Sequence, residues 1–269
     1  MKSQKTHVIC VTNQKGGVGK STTAEALAEG LFFRGYKTLL IDLDAQGSIS
    51  LTAGADMGKP DAYDVLTNRA DAQEATQQRT HRADIIPAGN NLAKLDIELT
   101  QIGKDHRLKE KIAPLAAGSG SGSEYKYKYK YIVLDTPPAL GIVTVNALTA
   151  ADSVVIPAQA DLLSLQGIGQ LYETIGAIKA YTNPRLALRG ILLTRHNARS
   201  ILSRDMTAAA KSAAADMGTF VYNAVIREAV SIREAQASQR SIYEYAPKSN
   251  AAIDYLAFVD EFITRGEQA

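Results

Sequence analysis

Lys15-Gly16-Gly17-Val18-Gly19-Lys20-Ser21-Thr22 (KGGVGKST) packs three glycines, two lysines and two hydroxyls into eight positions. That combination suits the cradling of phosphate oxygens. Gly16, Gly17 and Gly19 remove side chains, so that backbone N–H groups, Val18 among them, can close around an anion. A helix opening near Lys20 adds the positive end of its dipole. In such a loop Lys20 reaches the β- and γ-phosphates, Ser21 offers its hydroxyl to Mg²⁺ and Thr22 contacts the α-phosphate. The usual pattern, G-x-x-x-x-G-K-[ST], wants a glycine five positions before Gly19. This chain has Gln14 there, followed at once by the second lysine, Lys15. A chance glycine-rich turn is the bland alternative; the order of strand, loop, lysine, hydroxyl and helix speaks against it.

Two carboxylate positions complement the loop. Asp135 ends the apolar run YIVLD and precedes Thr-Pro-Pro. An acid at the carboxyl end of a neighbouring parallel strand sits where open α/β sheets bind ligands, and it can hold Mg²⁺ through a water. Asp42 and Asp44 end KTLLIDLD. Being two apart on an extended segment, they lie on one side. One can orient an attacking water or bind Mg²⁺ through water. A helix cap or turn aspartate is the ordinary alternative for each.

These residues need a scaffold, and the chain alternates strand with helix. Short apolar runs lie at His7–Thr12, Lys37–Leu43, Asp84–Pro87, Tyr131–Asp135, Ser153–Pro157, Leu186–Thr194 and Thr219–Val225. Helical spacing marks Ser21–Phe33, Leu162–Ala180 and Ser200–Met217. Continuous apolar strands between amphipathic helices imply an α/β fold, a mostly parallel twisted sheet with helices on both faces. The reading is a single domain from 1 to 269, with a flexible insert around 117–130. Within it GSGSGSEYKYKYKY (118–131) alternates tyrosine with lysine. That pattern suits either a base-stacking platform for nucleic acid or an extended lead-in with tyrosines packed and lysines solvated; the second is the simpler.

Composition sets bounds. The 269 residues suffice for a large core, and the net charge of +2 places any nucleic-acid contact in a local basic patch. Cys10 is the only cysteine, which leaves no internal disulfide, no cysteine pair for an iron–sulfur cluster and no structural zinc. His7, His81, His106 and His196 lack metal-like spacing. No apolar run approaches the ~18 residues that span a bilayer, and the N-terminus lacks a signal-type apolar region. The expectation is a cytoplasmic protein.

The order KGGVGKST, then DLDAQGS (42–48), then YIVLDTPP (131–138), resembles ParA/MinD-type ATPases with the deviant phosphate loop. The likeness continues through YDVLTN (63–68), IPAG (86–89), ADSVVIPAQADLLSLQGIGQL (151–171), GILLTR (190–195) and YEYAPKSNAAIDYLAFVDEF (243–262). It thus covers nearly the whole chain. Ala45 stands where the family usually has proline. VIREAVSIREA (225–235) departs from the family's IPRNVRLSEA, with Ile226 for proline, and the insert is not typical.

The resemblance implies a slow, Mg²⁺-dependent ATPase that dimerises around two ATP molecules. In it Lys15 crosses to the partner's phosphates, a cation supplied in trans. Asp44 matches the catalytic aspartate. Ser21, Asp42 and Asp135 match the magnesium positions. Thr194, Arg195 and the segment holding Ile226 and Arg227 match regions around the base.

Among such relatives the cluster carriers need paired cysteines, and MinD-like proteins end in a basic membrane helix. The C-terminus here, DYLAFVDEFITRGEQA, reads as a packed helix. With the loop starting near residue 13, no N-terminal helix-turn-helix domain is expected. A small Soj-like partition ATPase remains: an ATP homodimer on double-stranded DNA of any sequence, nucleoid-associated, stimulated by a ParB-like protein. The DNA candidates are Arg199, Arg204, Lys211, Arg233, Arg240 and Lys248, each equally well read as a solvated helix-face residue. The alternatives are a MinD-like or other protein-positioning scaffold without DNA binding and, more distantly, an amidoligase-type synthetase.

Overall fold

The computed structural model describes residues 5–99, 103–117, 129–197 and 201–267. Most of the Gly/Ser and Tyr/Lys insert (118–128) and Arg199 lie outside the described residues. The strands are β1 (His7–Val11), β2 (Thr38–Asp42), β3 (Asp84–Ile86), β4 (Tyr131–Asp135), β5 (Ser153–Gln159), β6 (Ala187–His196) and β7 (Val221–Arg227). They form one sheet in the order β3-β2-β4-β1-β5-β6-β7. Every neighbouring pair is parallel.

Side chains alternate between the two faces as the pleat requires. Val8, Cys10, Leu39, Ile41, Ile132, Leu134, Val154 and Ile156 enter one core. Ile9, Val11, Leu40, Val133 and Val155 enter the other. Both faces are dry, which is why these strands read as unbroken apolar runs. The first core is covered by helices including Arg107–Ala117, Ile142–Ala150 and Leu162–Tyr181. The second is covered by Lys20–Phe33 and Asn250–Glu267. The C-terminal helix buries Tyr255, Phe258, Val259 and Phe262, as its sequence suggested. No helix among the described residues is long and apolar enough to cross a membrane.

This order makes β1 a switch point. From β1 the chain crosses over to β2 on one side, whereas β5, β6 and β7 extend the sheet on the other. The loop after β1 therefore opens at the carboxyl edge where the sheet's winding reverses, the general ligand site of open α/β sheets. At the insert's far end Tyr129 is buried and donates from its hydroxyl to Asp84 Oδ2 at 2.7 Å, while the Lys130 N–H donates to the Lys37 carbonyl at 2.8 Å. Over these residues the alternation is a packed lead-in to β4.

The helix Lys20–Phe33 carries the loop, so its seat must be rigid. A Cβ on Gly30 would lie 2.6 Å from Val259 Cγ2 and 3.0 Å from the Tyr243 hydroxyl. Gly30→Ala therefore sets a gain in helix propensity of about 1 kcal/mol against overpacking of about 1–3 kcal/mol. The expected result is net destabilisation on the order of 1 kcal/mol in a denaturant melt; a stabilised variant would show that these helices part freely.

Candidate functional site

The loop is held from below by its neighbours. Asn13, fully buried, donates from Nδ2 to the Pro157 carbonyl at 2.7 Å and accepts the Lys15 N–H at 2.9 Å. Gln159, ending β5, donates to the Gly17 carbonyl at 3.2 Å. Thr194 in β6 donates to the Val18 carbonyl at 2.8 Å, with the Ala158 carbonyl 3.2 Å away. A trans peptide points its N–H opposite its C=O. With the Gly17 and Val18 carbonyls turned toward β5 and β6, the Val18 and Gly19 N–H groups face the other way, into the cradle. Gly17 and Gly19 adopt φ of +73° and +81°, the left-handed region that makes glycine necessary here.

The two lysines divide. Lys20, the first helical residue, is buried and donates from Nζ to the Lys15 carbonyl at 3.0 Å, folding over the loop. Burial lowers its pKa, against the favourable charges of Asp135 and Asp44. Lys15 turns outward. Its Nζ donates to both oxygens of Asp161 at 2.8 Å and reaches Ser164 Oγ at 3.2 Å. Asp161 also caps the helix Leu162–Tyr181 through the Ser164 N–H. Its partial burial works to raise its pKa, but the bonds from Lys15 and Ser164 outweigh this and hold it low. Leu162 and Leu163, directly after it, are largely exposed.

Register brings the carboxylates to the loop. Asp135 pairs with Val11, the last residue of β1, on one side and with Asp42 on the other. Both oxygens of Asp135 are buried without a well-directed donor. Burial first, then the charge of Asp42, push its pKa well above the ordinary range, and the nearby Ser21 hydroxyl and Lys20 soften this only in part. Asp42 differs. Its Oδ2 accepts from the Ser50 N–H at 3.0 Å and the Ser50 hydroxyl at 2.7 Å, and its Oδ1 from the Asp44 N–H at 3.1 Å. It ties down the segment 43–50, and burial pushes its pKa up to about 6. Asp44, half-buried, accepts the Gln46 N–H on Oδ1 at 3.0 Å.

The orphan oxygens of Asp135 beside the Ser21 hydroxyl fit a hard divalent cation such as Mg²⁺. Among the described residues no three His, Cys, Asp or Glu side chains cluster to hold a metal by themselves. Phosphate oxygens and water must complete such a site, as is usual for Mg²⁺.

Beside the loop lies a cavity of about 260 Å³. Gly17, Gly19 and Thr22 form one wall; Thr194, Arg195, Ile226 and Arg227 line it as well. Sequence reasoning missed Ile232, Gln236 and Tyr255, and assigned Arg233 to DNA although it lines this cavity. Tyr255 carries no local signal of a site; it reads only as a core position of its helix. Arg204 and Lys211 stand exposed on the helix Ile201–Asp216, to one side of its buried Ser203, Ala210 and Ala214. Arg240 is exposed and donates to the Glu244 carbonyl at 3.0 Å; Lys248 is exposed as well.

A carboxyl whose folded pKa lies above its unfolded value binds its proton more tightly when folded. Stability therefore falls as pH rises from the unfolded value through the folded one. For Asp42 that window begins near the ordinary aspartate value of 3.8 and extends through about 6; Asp135, raised well above the ordinary range, acts in the same direction. Asp135→Asn removes the orphan charge. Thermal melts of the ligand-free chain should show the variant more stable than the parent at about pH 8, by roughly 1–3 kcal/mol, converging near pH 4. A variant less stable at every pH would refute the orphan-charge reading.

Known proteins resemble this chain in sequence and fold. A family model described as an AAA domain matches residues 6–188. The chain is 36% identical to the chromosome partitioning protein ParA of Caulobacter vibrioides (strain NA1000 / CB15N), over 98% of this chain and 97% of that protein. It is 37% identical to the sporulation initiation inhibitor protein Soj of Bacillus subtilis (strain 168), over 96% of this chain and 99% of that protein. Among solved structures it is similar to cobyrinic acid a,c-diamide synthase from Mycobacterium smegmatis with bound ADP and magnesium. The TM-score is 0.79 and the identity 30%, over 97% of this chain and 96% of that one. With a loop, carboxylate edge and seven-stranded parallel sheet of this kind, and likeness along almost its whole length, the chain belongs to the ParA/Soj family of P-loop ATPases.

Proposed function

We propose that this chain is an ATP-driven dimerising switch for chromosome or plasmid partition, built as one ATPase domain over 1–269. In this reading it takes ATP and Mg²⁺, binds duplex DNA without sequence preference as the ATP homodimer, and hydrolyses ATP faster when a ParB-like partner engages it. Its place is the cytoplasm, on the nucleoid. The near full-length likeness to chromosome partitioning proteins supports this over a synthetase reading.

The observation that carries the proposal is the division of the two lysines. Lys20 already lies over the loop, whereas Lys15 stands at the rim on Asp161, beside two exposed leucines. A second cation is not needed within one subunit; in a face-to-face dimer it reaches the partner's phosphates.

The roles then follow. The N–H groups of Gly16 to Thr22 and the helix dipole bind the phosphates, with Lys20 on the β- and γ-oxygens. Ser21 and Asp135 would hold Mg²⁺, with Asp42 fixing the edge; the ion would supply positive charge to neutralise the phosphates. Asp44 has Oδ2 available to align a water and accept its proton, since among the described residues its one side-chain bond is on Oδ1. Lys15 supplies positive charge in trans as the bond to the γ-phosphate breaks. Arg204, Lys211, Arg240 and Lys248, with Arg199, offer phosphate contacts to DNA.

ATP turnover, sedimentation and DNA retention test this together. The parent with ATP should retard any duplex with steep salt dependence, and with ADP should not. Lys15→Gln should still bind ATP but lose dimerisation, with turnover down about a hundred-fold or more. Asp44→Ala should trap an ATP dimer that keeps DNA. A Lys15→Gln chain that dimerises and turns over like the parent sinks the crossing-lysine role. ATP-dependent dimers that ignore DNA select a protein-positioning scaffold instead.

A further inference from the structure

Three arginines line the cavity beside the loop, and they are not equivalent. Arg227 is tied to Asp254, its Nη2 and Nε lying 2.6 Å and 2.9 Å from the carboxylate oxygens. Arg195 is tied to Glu228 at 2.8 Å. Arg233 lines the same cavity from the helix Val230–Ala237, and among the described residues it makes no hydrogen bond, ion pair or ring contact. The cavity thus carries one cation more than its carboxylate partners balance. That cation faces a loop whose free N–H groups, helix dipole and Lys20 already make the surroundings positive. Such an arrangement is unfavourable until an anion enters.

The rest of the wall says what kind of anion. Gln236, three positions along the same helix face, brings its amide Nε2 to 3.5 Å from Thr22 Oγ1, at the loop's helical end. Ile226, Ile232 and Tyr255 give an apolar surface next to it. An apolar wall, a neutral amide donor and a free guanidinium, set against a phosphate cradle, match a nucleotide: flat base on one side, phosphate charge on the other.

We infer that Arg233 is a nucleotide-binding residue, not a DNA contact, and that its guanidinium supplies charge to a nucleotide held between the loop and the helix Val230–Ala237. This rests on the proposed nucleotide site but not on partition, dimerisation or DNA binding. Because Thr22 is the residue expected at the α-phosphate, which ATP and ADP share, both nucleotides gain from Arg233.

The test titrates fluorescent ATP and ADP analogues into the parent, Arg233→Ala and Arg233→Lys, and measures duplex retention at saturating ATP. Arg233→Ala should weaken both nucleotides about ten-fold, the value of one charge-assisted contact. Arg233→Lys should recover most of this, and DNA affinity at saturating ATP should stay at the parent's level. Since among the described residues the side chain makes no hydrogen bond, ion pair or ring contact, melting temperatures should match; if the alanine variant fails to fold, Arg233→Gln replaces it. Unchanged nucleotide affinity in Arg233→Ala, or a lysine variant as weak as alanine, overturns the inference. So does lost DNA retention with nucleotide binding intact. A parent that binds neither nucleotide instead overturns the proposed function, and this reading with it.

Discussion

A carboxylate taken out of water without a partner costs free energy, and this protein keeps one at the end of the central strand of its site. The register of three parallel strands fixes Asp135 between Val11 and Asp42, so that the loop, the orphan charge and a second acid share one edge. The neighbours do not resolve the cost. Lys20 is close enough to attract Asp135, yet burial still lowers the lysine's pKa and still raises the aspartate's. Desolvation outweighs attraction on both sides, and the sheet's own packing must hold the pair in place. Perturbed groups arranged this way are typical of sites kept ready for a ligand. A divalent cation held by Asp135 and Ser21 would relieve the acid, and a bound anion would relieve the lysine.

Much of the scaffold was legible because both faces of the sheet are buried. Each strand carries an apolar run with no polar alternation, and the runs read from composition lie within about two residues of the observed strands. The sheet order was not legible. Nothing local to YIVLD says that it lies between β2 and β1; that follows from packing helices on both faces and from the crossover sense of parallel strands. The misplaced ends are telling as well. β5 runs on to Gln159 and β6 to His196, past the apolar runs, because Gln159, Arg195 and His196 are polar; Gln159 supports the loop there.

The site itself divides along the same line. The loop and its acids were readable, since glycines, lysine, hydroxyl and strand-end aspartates are local in sequence. Asp161 was not: as a side chain it announces only a helix cap, and its bond to Lys15 spans 146 positions. Asp42 was read as a metal position, but its bonds to Ser50 show an organising role that residue type alone does not reveal. Arg233 was read as one basic residue among several. Only the fold shows that its helix closes the cavity while Arg204 and Lys211 point away on another.

The strength of the Lys15–Asp161 pair matters to the proposed switch, and its exposure sets that strength. The two side chains are 26% and 34% exposed, so water screens the pair in part. An exposed ion pair contributes about 0–1 kcal/mol, and a charge-assisted, bidentate one more, up to about 3 kcal/mol. A fully buried pair would cost about 3–5 kcal/mol to break, because it strands a charge in a dry interior. At the rim, Lys15 is held firmly enough to stay out of its own subunit's cradle. It is still held weakly enough to leave for an acceptor of greater charge. In the proposed dimer a partner's polyphosphate would set several negative oxygens against the single charge of Asp161, which would favour exchange once a loaded subunit approached. With no such acceptor within reach, the lysine returns to Asp161. In the proposed switch the same contact would therefore permit assembly with a loaded partner and favour the separated state once that charge is gone, without any separate moving part.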